Sequence, residues 1–127
     1  MDYGFVKKIN LSFDDACARV ESELKKEGFG ILTTIDVKDK FREKLGIDFP
    51  RYMILGACNP KMAHKAISVE WNIGLLLPCN VIVYEKEGAV FVGIIRPTQA
   101  MGTIDNDALR TNAEQVETLL KSVFDRL

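Results

Sequence analysis

The sequence predicts an α+β domain of two layers, built on one mostly antiparallel sheet covered by helices. Three observations carry this. Strand-like runs rich in β-branched and aromatic residues are interleaved with amphipathic stretches in the order β-α-β-(α)-β-α-β-β-α. Two of those runs flank Lys86-Glu87-Gly88, so they form a hairpin, and a hairpin is antiparallel. The mixed spacing lacks the regular strand–helix alternation of a doubly wound parallel sheet.

Taken in order, Phe5–Ile9 is a short first strand. Ser12 then opens a helix, because its hydroxyl can accept from a free backbone N–H and Asp15 stands at the third helical position. Phe13, Ala16, Cys17, Val20 and Leu24 make one apolar stripe on it, which places Cys17 in the core. Lys25 and Lys26 suit the negative end of this helix, and Gly28 stops it. Ile31–Val37 reads as the second strand. A short helix covers Val37–Leu45 and ends at Gly46. Tyr52–Ala57, nearly all apolar, reads as a covered central strand. Asn59 caps the next helix and Pro60 starts it, with Met62, Ala63, Ala66, Ile67 and Val69 facing inward and His64 outward. Trp71–Pro78 is an apolar connector that must pack on something. Asn80–Glu85 and Ala89–Ile95 form the hairpin, Pro97–Asn106 is a loop, and a last helix runs from about Asp107 to the end.

With 127 residues the chain suits a single domain, residues 1–127. A chain of this length buries about two-thirds of its unfolded surface, enough for a core without disulfides or a structural metal. Hydrophobic residues make up 47% and charged residues 28%, with a net charge of −1. That balance offers no attraction to phosphate backbones, so no nucleic acid is expected as partner. Cys17, Cys58 and Cys79 are odd in number and lack a C-x-x-C spacing. Three reduced thiols and a start without a signal-peptide pattern point to the cytoplasm. No apolar run is long enough to span a bilayer, so no membrane partner is expected.

One pair of segments is distinctive. Leu55-Gly56-Ala57-Cys58-Asn59-Pro60-Lys61-Met62-Ala63-His64-Lys65-Ala66 is followed by Ile73-Gly74-Leu75-Leu76-Leu77-Pro78-Cys79-Asn80-Val81. Together they resemble the signature of the domain of unknown function 302 family, and the similarity runs from the first strand to the last helix. The resemblance implies a curved antiparallel sheet with helices on one face, of the TATA-binding-protein-like type. It implies no activity. Trp71-Asn72 stands where that family usually has a Pro-Glu pair, and Arg96-Pro97 where it commonly has Asp-Pro. The second departure puts a cation at the end of the hairpin.

The matched residues define a candidate site. Cys58 ends a strand just before a helix N-terminus, where free N–H groups carry partial positive charge. A thiolate there is stabilised, so its reactivity at neutral pH can rise. Cys79 starts the next strand, and the two thiols can approach if the strands are neighbours. The sharper functional expectation is therefore a small-molecule or redox-linked thiol site. Cys58 and Cys79 are its candidate catalytic residues, and Asn59, Pro60, Lys61 and Asn80 its candidate ligand-binding residues. Lys61 sits in a first turn, where the helix dipole disfavours a cation, and a small anion bound by Lys61 and the N–H groups would relieve that conflict.

A metal is not expected. Cys58-x5-His64 is no recognised zinc spacing, and a structural zinc needs four ligands. The single histidine also leaves no obvious Ser-His-Asp set, and no phosphate-binding glycine loop is present. The competing expectation is a non-enzymatic homodimeric interaction module. It rests on the apolar connector after Trp71 and on the final helix, where Leu109, Ala113, Val116, Leu120, Val123 and Leu127 follow a near-3.5 spacing.

Overall fold

The computed structural model describes residues 2–127. Five strands, β1 (Gly4–Ile9), β2 (Gly30–Asp36), β3 (Tyr52–Cys58), β4 (Cys79–Lys86) and β5 (Ala89–Ile95), form one sheet. The order is β1-β5-β4-β3-β2, and every pairing is antiparallel. Five α-helices accompany it: α1 (Phe13–Lys26), α2 (Val37–Leu45), α3 (Pro60–Val69), α4 (Pro97–Ala100) and α5 (Asp107–Asp125). The expected α+β architecture with an antiparallel sheet is present.

Side chains alternate across a strand, so each strand offers one face to the helices. Leu55 and Ala57 of β3, Val81 and Val83 of β4, and Val92 and Ile94 of β5 are buried on that face. They meet Phe13, Ala16, Val20 and Leu24 of α1 and Val116, Leu120 and Val123 of α5. The opposite face carries a stack of Tyr52, Tyr84 and Phe91, with ring centroids 5.4 and 5.2 Å apart.

The local signals work as the residues suggest. Ser12 Oγ accepts from the Asp15 N–H at 3.1 Å and starts α1. Gly28 follows its end at φ +82°, a left-handed conformation that other residues resist. Gly46 closes α2 in the same region of backbone space. Asp36, the last residue of β2, also caps α2, which runs over Val37–Leu45 as expected.

Several details differ from or add to expectation. Cys17 sits at the edge of the α1 stripe and is only half-buried. On α3 only Ala66 is fully buried, while Ile67 and Val69 are exposed. At 100° per residue, these two flank the buried line instead of lying on it. The connector is a 3-10 helix (Trp71–Leu76), and the segment expected as a loop contains α4. Ile73 anchors the connector in a second small core with Ala66, Met101, Leu109 and Ala113. Between Ile31 and Thr33 the β2–β3 register shifts through a bulge.

An unforeseen polar link joins the first and last helices. Glu23 lies on the buried side of α1, and its carboxylate accepts from Arg126 Nε at 2.6 Å and Lys26 Nζ at 2.8 Å. Hydrogen bonding by Arg126, then by Lys26, holds this carboxyl at about 2, below its ordinary 4.5. Because the folded-state value is lowered, this stabilisation is complete above about 4.5 and is lost as pH falls toward 2. Urea denaturation across that window is expected to show falling stability in the wild type. Glu23→Gln should show a shallower dependence there, and an unchanged slope would refute the assignment.

Candidate functional site

The β3–β4 ladder decides which motif residues can meet. Ala57 pairs with Cys79 and Gly56 with Asn80. Cys58 is the last residue of β3 and Cys79 the first of β4, so the two cysteines lie at the same end of neighbouring strands. Gly56 is needed in this ladder, because a Cβ there would stand 2.2 Å from Thr33 Oγ1 and 2.7 Å from Pro78 Cγ.

At this end of the sheet α3, α4 and α5 border a half-open cavity of about 290 Å³. Cys58, Asn59, Pro78 and Cys79 contribute to its wall, together with Phe29, Met62, Ala63, Leu77, Pro97, Met101, Asn112 and Val116. Among the described residues the lining holds no charged side chain. The structure thus gathers Cys58, Asn59 and Cys79 around one space. It separates the rest of the expected cluster. Asn80 follows Cys79 by one residue, and the pleat turns it to the other face of the sheet, where it is exposed. Pro60 and Lys61 are exposed on the first turn of α3 and form no part of the wall.

Asn59 is engaged by structure at both ends of its amide. Its Oδ1 accepts from the Met62 N–H at 3.3 Å, which caps α3. Its Nδ2 donates to the Glu27 carbonyl at 3.2 Å, which ties α3 to the exit of α1. Gly28 is part of the same junction, since a Cβ on it would come within 3.1 Å of Asn59 Nδ2.

Cys79 is 8% exposed. Burial, with a smaller contribution from the neighbouring Cys58, pushes its thiol up to about 11. This is the reverse of the lowered value that an activated nucleophile needs, and at neutral pH Cys79 is a neutral, soft wall group. Cys58 is half-buried. Arg96, the cation at the hairpin's end, points its Nε to Glu117 Oε2 at 3.3 Å. The same carboxylate accepts from Thr98 N and Oγ1, so it anchors the start of α4 as well. His64 is exposed, and among the described residues no three His, Cys, Asp or Glu side chains are grouped to hold a metal. No helix among them is long and apolar enough to cross a membrane.

The wall residue that sequence reasoning missed is Asn112. It is 8% exposed and donates from Nδ2 to the Met62 carbonyl at 3.2 Å. Its spacing held a signal: it stands three residues after Leu109 and four before Val116, a polar residue inside the apolar stripe of α5.

A profile described as domain of unknown function DUF302 matches residues 5–127. The chain belongs to the DUF302 family. A crystal structure of an uncharacterized conserved protein DUF302 from Bacillus stearothermophilus is similar along almost the whole length. It has a TM-score of 0.92 and 31% sequence identity, and the alignment covers 99% of this chain and 98% of that one. No curated protein matches the chain. The cavity therefore lies inside a family domain whose description assigns no activity, and its chemistry must be read from its walls.

Alkylation of the native DUF302 domain, followed by peptide mass spectrometry, is expected to leave Cys79 unmodified at pH 7–8. Its reaction should appear only near pH 11 or on unfolding. Rapid labelling of Cys79 at neutral pH would contradict its assignment as a buried neutral thiol.

Proposed function

We propose that this DUF302 domain binds a small, uncharged, largely apolar molecule in the cavity at the β3–β4 end of the sheet. The observation that carries this reading is the cavity itself. Its volume is about 290 Å³, its wall is apolar, and both motif cysteines stand on it. Concave, mostly apolar sites with a few polar groups are the usual form of small-ligand pockets.

The thiol expectation is narrowed by this reading. Cys79 serves as lining, and any nucleophilic or redox step falls to Cys58, at the strand end. The absence of charge from the wall argues against an anion inside the cavity, because a buried ion without a partner costs several kcal/mol or more.

The reading is tested by titrating the protein with p-xylene and 4-methylphenol and following Tm. A ligand present at about 100 times its Kd stabilises the folded state by about 2.7 kcal/mol, which is several degrees in a domain of this size. At least one probe is expected to give this rise. Ala63→Leu places extra side chain in the wall and should abolish it. If neither probe shifts Tm, or if Ala63→Leu responds like the wild type, the cavity is not a binding site.

A second reading is favoured by a separate observation. Trp71 is 83% exposed and Leu75 87% exposed on the 3-10 helix, with Leu76, Ile67 and Val69 also open to solvent. Exposed apolar surface of this kind is characteristic of contact sites. We propose that a second copy of the chain covers it. Light scattering should then give a dimer mass that Trp71→Ala/Leu75→Ala converts to monomer. A monomeric wild type at high concentration would end this reading.

A further inference from the structure

We infer that the cavity selects ligands that donate one hydrogen bond, from an O–H or N–H group, to Oδ1 of Asn112; the class is small uncharged phenols and alcohols. The inference rests on the cavity being a binding site, as proposed above.

The argument starts from the amide's orientation. Asn112 Nδ2 donates to the Met62 carbonyl at 3.2 Å. Turning the amide over would bring two oxygens face to face, so the side-chain oxygen is the atom left over. That Oδ1 is buried and has no hydrogen-bond partner among the described residues. Buried side-chain oxygens nearly always have a partner, so this one is a desolvated acceptor on a residue that lines the cavity. Asn59, the other amide of the wall, is already engaged in both directions. The remaining side-chain heteroatoms of the described wall residues belong to Cys58, Cys79 and the thioethers of Met62 and Met101, all weak hydrogen-bonding groups.

An acceptor in a wall without charge sorts ligands by chemistry. A carboxylate or phosphate would set negative charge against Oδ1 with no cation among the described residues of the wall. A hydrocarbon fills the space but leaves Oδ1 unmade. A neutral donor satisfies it while its apolar body meets Phe29, Met62 and Val116. The volume sets the size, since an apolar cavity of roughly 150 Å³ takes benzene. About 290 Å³ therefore suits one substituted ring or a short branched chain.

The test compares ligands of nearly equal shape on the full chain by calorimetric titration. 4-Methylphenol and p-xylene differ by a hydroxyl in place of a methyl, and 4-methylanisole keeps the oxygen but cannot donate. In the wild type, 4-methylphenol is expected to bind roughly tenfold tighter than either, the ratio of one hydrogen bond to a desolvated acceptor. In Asn112→Leu the preference should disappear or reverse. The wild-type comparison is decisive by itself, so the result does not depend on the variant folding. If p-xylene binds as well as 4-methylphenol, the inference is overturned while the cavity stands as a binding site. Retention of the preference in Asn112→Leu overturns it too. If no probe binds, the binding reading fails and takes this inference with it.

Discussion

The position of α3 depends on one side-chain amide. Asn59 caps the helix with its oxygen and holds the carbonyl of Glu27 with its nitrogen. Those two bonds fix the start of α3 against the exit of α1, where Gly28 leaves room for the contact. Everything at this end of the sheet follows from that placement. α3 carries Met62, Ala63 and Ala66 over the strand ends, and α5 closes against it through Asn112 and the Met62 carbonyl. The cavity is the space left between helices whose separation is set by polar contacts and by small side chains such as Ala63, Ala66 and Ala113.

The same junction shows how one motif serves two purposes. Cys58-Asn59-Pro60 looks like a chemical site because it joins a thiol, an amide and a helix start. In the structure the amide and the proline build the helix, and the thiol borders the cavity. Cys79 reaches the cavity because it is directly opposite Ala57, and its burial makes it a poor nucleophile. The polar atom left without a partner lies on α5, outside both motif segments.

Most of the fold was legible in the residues. The five strands, the α1 cap and stop, the α2 ending at Gly46 and the β4–β5 hairpin all carry local signals, and those signals act over a few residues. The α4 turn was not legible, because it is held in part by Glu117, nineteen residues away from Thr98. Half of the site was legible for the same reason. Cys58, Asn59 and Cys79 could be picked out as neighbours in a motif. Asn80 could not be separated from them without the β3–β4 register, which shows that the pleat carries it to the far face. Asn112 was visible only as a polar interruption of an apolar stripe, and its meaning depends on the contact with Met62 fifty residues away. The exposure of Ile67 and Val69 likewise turns on where α5 lies relative to α3.

The bulge between Ile31 and Thr33 has a bearing on how the chain behaves in crowded solution. β2 is an edge strand, with one row of backbone donors and acceptors unpaired and with Leu32 and Ile35 exposed beside it. A flat strand of that composition would template the addition of another chain's strand. The extra residue breaks the hydrogen-bond rhythm and twists the strand locally, so an incoming partner cannot keep register along its length. The other edge, β1, carries Lys7 and Lys8, whose charges oppose stacking of like edges. Each border of the open sheet thus carries a feature that opposes strand addition.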